Sequence, residues 1–277
     1  MWFRALILHD RGEAPFYQNF WARADHLGAA LDEIGRAADG LGLAGATIVQ
    51  ADPVPQLPDV EMEGREDLRW DKVRFAFAPD GSSTGFVLPP GVVRSATGKD
   101  VELHAGFRQV EGNPVTRVEC AVSAERLIRD HEHLLRTFEP FVVFWYELQD
   151  DWEEAGEREL YVNEALDRAE PIVRHLESVP DLGWRNGHVT LTAFARAGAT
   201  NVSLTDHKTL RVTTTDPALA ERARDAFHLL GYRRDDQLPM VSEGIHHWHH
   251  RPTSSLGRAA LIARLLELGF KKWKPGG

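Results

Sequence analysis

Cysteine is nearly missing from this chain: Cys120 stands alone, so no intrachain disulfide can form. Long apolar runs are missing as well. The longest, residues 141–146, falls far short of the ~20 residues a membrane helix needs. The opening Met1-Trp2-Phe3-Arg4-Ala5 lacks a basic region followed by a signal-type apolar segment. Together these shortfalls lead to the expectation of a cytoplasmic protein with no membrane partner. Fixed-period repeats are also lacking.

Phosphate-binding loops are absent in substance, although two stretches imitate them. Gly40-Leu41-Gly42-Leu43-Ala44-Gly45 has the letters of a dinucleotide loop, but it follows a predicted helix and precedes a strand. The chemistry needs the reverse order, so that a helix N-terminus faces the pyrophosphate. Gly98-Lys99-Asp100 places Asp where a phosphate loop needs Ser or Thr for magnesium. Both stretches are expected to be turns.

What remains is an ordinary globular composition. The 277 residues are 43% hydrophobic and 27% charged, enough for a sizeable core and for two domains. Residues 2–9 and 16–24 read as a strand pair, followed by a helix capped by Asp25 and a strand at 46–51. A proline-rich connection follows, then short strands at 73–78, 101–110 and 115–122 and a weak one at 86–88. Ser123 is expected to cap a helix with Leu127, Ile128, His131, Leu135 and Phe138 on one face. Residues 141–148 are apolar on both faces, as in the middle of a sheet. Residues 161–178 read as a helix kinked at Pro171.

The last part has the most legible order. Residues 189–195 and 202–215 read as strands, and the second is rich in Val, Leu and Thr. Asp216 and Pro217 open a helix, which Gly231 closes. The His-rich stretch 245–251 reads as extended. A second helix is expected after Ser254 or Ser255, with Leu256, Ala260, Ala263, Leu265 and Leu266 on its apolar face and Gly269 at its end. Three predicted helices end in Leu-Gly followed by an apolar residue: Leu41-Gly42-Leu43, Leu230-Gly231-Tyr232 and Leu268-Gly269-Phe270.

The expected fold class is α+β, built of ferredoxin-like plait modules, antiparallel sheets with helices on one face. The expected division is an N-terminal ββαβ module over 1–55, a β-rich middle over 56–180 with a helix at 123–138 and an acidic segment at 147–170, and a C-terminal module over 181–277.

Two features point toward function. The net charge is −10, and residues 147–170 carry −8 of it, with ten acids against two bases. Nucleic acid is excluded from that face; a basic protein partner is expected there. Trp145, Trp152, Glu153, Glu154, Glu157 and Glu159 would form the patch. A solvated acidic face is the competing reading. With no catalytic constellation evident, the expected function is a non-enzymatic acidic inhibitor, such as a bacterial immunity-type protein masking a basic toxin.

The second feature is His246-His247-Trp248-His249-His250. In an extended strand His247 and His249 share one face, and two such histidines can share one metal. Zinc needs three or four ligands. His207, Asp206, His188 and Glu243 are available, and His207 completes the candidate set. The alternative function is therefore a zinc-binding enzyme or sensor; partly exposed strand histidines are the competing reading. Asp206-His207 beside Ser203 has the letters of a catalytic triad but not its geometry, because adjacent strand residues face opposite ways. His131 is expected to be a hydrogen-bonded core histidine, and Cys120 a buried, inert thiol.

Overall fold

The structure, a computed structural model, describes residues 1–9, 16–58, 61–72, 74–76, 86–94, 103–150, 157–244, 247–251 and 257–274. The first elements in chain order are β1 (Trp2–His9), β2 (Phe16–Arg23), α1 (Leu27–Gly40), β3 (Thr47–Val54), β4 (Met62–Arg65), β5 (Leu68–Asp71), β6 (Phe75–Ala76) and β7 (Val92–Arg94). Next come β8 (Gly106–Val110), β9 (Thr116–Ala121), α2 (Leu127–Phe138), β10 (Val143–Leu148), β11 (Glu159–Asn163), α3 (Ala169–Ser178) and β12 (Val189–Ala195). The chain continues with β13 (Thr200–Leu204), β14 (Leu210–Thr214), α4 (Pro217–Leu229), α5 (Val241–Gly244), β15 (His247–His249), α6 (Arg258–Glu267) and β16 (Lys271–Lys272).

Alternation along β1 and β2 builds the first sheet. Phe3, Ala5 and Ile7 share a core with Phe20 and Ala22, and α1 covers it with Ala30, Ile34 and Ala38, one helical turn apart. The cap of α1 is His26, whose Nδ1 accepts from the Ala29 N–H at 3.1 Å, and not the neighbouring Asp25. β1 pairs with both β2 and β3, and the strand order is β3-β1-β2-β5-β4, with β6 beside β2.

The second sheet has eight strands in the order β16-β11-β10-β12-β13-β14-β9-β8. Its inward residues, among them Phe144, Tyr146, Leu191, Val202, Val212 and Val118, form one core with Leu134 of α2, Ile172 of α3, Phe227 of α4 and Leu265 of α6. The protein is thus α+β with two antiparallel sheets, and neither strand order shows a ferredoxin-like plait. β10 pairs with β11 on one side and with β12 on the other.

Helix ends follow local chemistry closely. Asp216 accepts from the Ala218 N–H at 2.8 Å, with Pro217 at the first helical position. Gly42, Gly231 and Gly269 have φ of 79°, 84° and 85°. Behind each, the next N–H reaches back across the turn: Leu43 to Ala38 O, Tyr232 to Phe227 O and Phe270 to Leu265 O. The triple Leu-Gly-apolar echo is therefore one stop motif used three times, with glycine supplying the left-handed residue.

Further expectations fail for identifiable reasons. Residues 161–178 are not one helix: β11 occupies the start, and Pro171 sits in the first turn of α3, where no intrahelical N–H is needed. Ser123 does not cap α2, which begins at Leu127 and leaves Ile128 exposed. The buried face of α6 is Leu261 and Leu265, with Leu266 half-exposed, so the expected stripe was rotated. The proposed caps Ser254 and Ser255, the Gly98-Lys99-Asp100 stretch and the start of the His-rich segment lie outside the described residues. Among the described residues, no helix is long and apolar enough to cross a membrane.

Candidate metal site

The strand β15 does not join either large sheet. It pairs with β7, placing His247 opposite Arg94 and His249 opposite Val92. This two-stranded unit docks on the loop before β12: the Gly187 N–H donates to His250 O at 2.8 Å, and the His250 N–H donates to Gly91 O at 2.9 Å. Gly91 and Gly187 touch there, and a Cβ on Gly187 would overlap Gly91 O. Arg251 then donates to Asp52 at 2.7 Å, tying the unit to β3 of the first sheet. Asp52 also faces Arg4 at 3.9 Å.

The chain expected as one strand over 202–215 makes two, β13 and β14, and the tight turn between them carries Asp206, His207 and Lys208. The turn is closed by Thr205 N–H to Thr209 O at 3.0 Å and Lys208 N–H to Thr205 O at 2.9 Å. The Asp206 N–H is further held by Thr190 Oγ1 at 3.0 Å. These bonds point His207 at β15. Its ring centroid lies 4.7 Å from that of His247 and 4.7 Å from that of His249, and the two strand histidines stack at 5.2 Å. One donor nitrogen from each of the three falls within 4.8 Å of the others. Nitrogens around a tetrahedral zinc, at 2.0–2.1 Å from the ion, are about 3.4 Å apart. Coordination would therefore need the cluster to close by up to about 1.4 Å.

Asp206 completes the arrangement from behind. Its Oδ1 lies 3.0 Å from His207 Nδ1, and its Oδ2 is 4.0 Å from His249 Nδ1. A carboxylate on Nδ1 fixes the tautomer and leaves Nε2 as the outward ligand atom. Burial disfavours the charged form of Asp206, but the His207 hydrogen bond and nearby positive groups win and hold its carboxyl well below the usual range. Burial pushes His249 down to about 3, against the pull of Asp206, so its imidazole is neutral at pH 7 as a metal ligand must be.

These groups line a cleft of about 570 Å³ with Arg4 from β1, Gln149 and Asp150 at the end of β10, Arg158 ahead of β11, and His188 ahead of β12. That volume suits a small molecule. His188 is buried, its pKa is pushed well below 6.5 by desolvation, and its ring lies 6.0 Å from that of His249. Glu243, available on sequence grounds, pairs instead with Arg108 at 2.6 Å. The triad letters do not assemble: Ser203 Oγ shares a hydrogen bond with Thr192 Oγ1 at 2.9 Å, not with His207. His131 is fully buried and accepts from Trp184 Nε1 at 3.0 Å, and Cys120 is buried, its thiol raised by desolvation.

The acidic segment is more engaged than its composition suggests. Arg158 pairs with Glu147 at 3.3 Å and with Asp150 at 3.6 Å. Glu159 holds Arg258 at 3.2 Å and also Lys272. Glu157 is exposed and Trp145 half-buried. Trp152, Glu153 and Glu154 lie outside the described residues. Sequence reasoning missed Arg4 and Lys208, because nothing in their neighbourhoods marks an arginine or lysine for burial beside a site.

Compared with protein-family models, curated proteins and solved structures, the chain matches none of them.

Proposed function

We propose that His207, His247 and His249 hold a divalent transition-metal ion, zinc by preference, and that the protein is a metal-dependent enzyme acting on a small molecule in the adjoining cleft. The observation that carries this reading is the convergence of three imidazoles from two separate elements, one of them backed by a carboxylate. Imidazole suits zinc, copper, iron and nickel more than magnesium or calcium. Three protein ligands leave a fourth position toward the cleft, the pattern of catalytic zinc as opposed to closed structural zinc. There the ion would supply Lewis acidity and an activated water, while Arg4, Arg158 and Gln149 offer hydrogen bonds to orient the substrate. Untagged protein should retain about one equivalent of zinc after gel filtration and, once stripped, regain it with cobalt(II) showing the absorbance of a tetrahedral complex. Protein that keeps no metal and gives no cobalt spectrum would sink the reading.

A basic protein partner on residues 147–170 is a second reading, supported by the −8 charge of that stretch and by the exposure of Glu157. Neutralising Glu153, Glu154, Glu157 and Glu159 should then slow association at least ~10-fold at low salt, an effect that high salt erases. A partner bound equally fast by the neutralised protein would dismiss it.

A further inference from the structure

Lys208 stands next to His207, is 1% exposed, and has φ of 58°, in the left-handed region that residues with a Cβ seldom adopt. Its ammonium does not reach the cleft. It donates to Asn186 O at 2.5 Å and to Gly183 O at 3.3 Å, two backbone carbonyls of the loop before β12. Burying a lysine is costly, and neither of its hydrogen-bond partners is a carboxylate.

We propose that Lys208 is the positioning residue of the three-histidine site, holding the turn that carries His207 at a fixed distance from the strand that carries His247 and His249. The inference rests on the metal reading above. Its structural basis is that the two halves of the site share no strand: the turn belongs to the eight-stranded sheet, and β15 pairs with β7. Backbone bonds connect them through the loop that Lys208 grips. Asn186 takes the ammonium, the Gly187 N–H donates to His250 O, and the His250 N–H donates to Gly91 O, one residue from β7. The joint is tight on both sides. A Cβ added to Gly91 would lie 2.7 Å from Gly187 N and 2.8 Å from Lys208 Cε, so the lysine stem is packed into the contact it secures.

A merely electrostatic role would have the opposite sign. Removing a positive charge beside a bound cation should tighten metal binding; removing a strut should loosen it. Lys208→Met and Lys208→Gly separate the two. The glycine variant suits the backbone, because φ of 58° costs glycine nothing. Both variants should bind cobalt(II) 10–100-fold more weakly than the wild type, the range seen when support behind a ligand is lost. Far-UV circular dichroism should not change, and amide exchange at Gly187 and His250 should speed up. Equal or tighter cobalt binding by the glycine variant overturns the proposal. If the wild type itself takes up no cobalt, the metal reading falls, and exchange still decides the strut: unchanged protection at Gly187 and His250 in Lys208→Gly overturns it.

Discussion

Replacing His247 and His249 together by alanine is expected to abolish stoichiometric metal binding, a loss on the order of 10³-fold or more in affinity, with the fold retained. The size follows from chelation. With three imidazoles preset within 4.8 Å, the second and third ligands bind at high effective concentration. With His207 alone, that advantage is gone. The fold should survive because β15 is three residues long and both histidines lie outside the two large cores. Thermal unfolding gives an independent readout. Ligand present at 1,000 times its dissociation constant stabilises the native state by about 4 kcal/mol, so added zinc should raise the wild-type midpoint and leave the double variant unmoved. Asp206→Asn should fall between, with a 10–100-fold loss, because it weakens the grip on His207 Nδ1 without removing a ligand. Full metal content in the double variant would refute the assignment of these residues.

Acid should destabilise the protein steeply below about pH 6. Burial pushes His131, His249 and His250 down to about 3, and His175 to about 4. In the unfolded chain each returns to about 6.5. Between those values the unfolded state binds more protons, so stability rises with pH across the window and is lost on acidification. Each group contributes a slope of up to ~1.4 kcal/mol per pH unit. Asp71 works the other way: burial raises it to about 6, so it favours the native state at low pH and loses that contribution as pH rises through 6. His188, also pushed well below 6.5 by burial, adds to the same side, so one carboxyl against five imidazoles leaves the histidine sign in control. Urea midpoints measured from pH 7.5 to 4.5 should fall monotonically, and His131→Gln should flatten the dependence. A flat profile across that range would contradict the burial of these rings. Bound metal would sharpen the loss, since protons compete for its ligands.

How much of this was legible follows from how local each cause is. The helix stops at Gly42, Gly231 and Gly269 and the start at Asp216-Pro217 depend on a few neighbouring residues, and they could be read directly. The shared face of His247 and His249 follows from strand alternation. His207 as their companion could be nominated but not selected, because its approach depends on a turn hung between β13 and β14. The partner of β15 was out of reach. Its three-residue pairing with β7 spans more than 150 residues of chain, and no periodicity encodes such a contact. Residues 161–178 misled because Pro171 looks like a break when it is in fact part of a first turn. Lys208 carries no sequence mark at all; its burial exists only because two carbonyls from a distant loop wait for it.

The order of strands in the eight-stranded sheet bears on how the chain comes to be made. β8 and β16 form its opposite edges, and its central strands pair across intervals filled by α2 and α3. Asp52, which also faces Arg4, meets Arg251 almost two hundred residues later in the chain. Non-local pairing of this kind folds slowly. The first sheet can therefore form on the ribosome while the face that receives β15 stays bare, and the cleft comes into being only once β15 itself has been made.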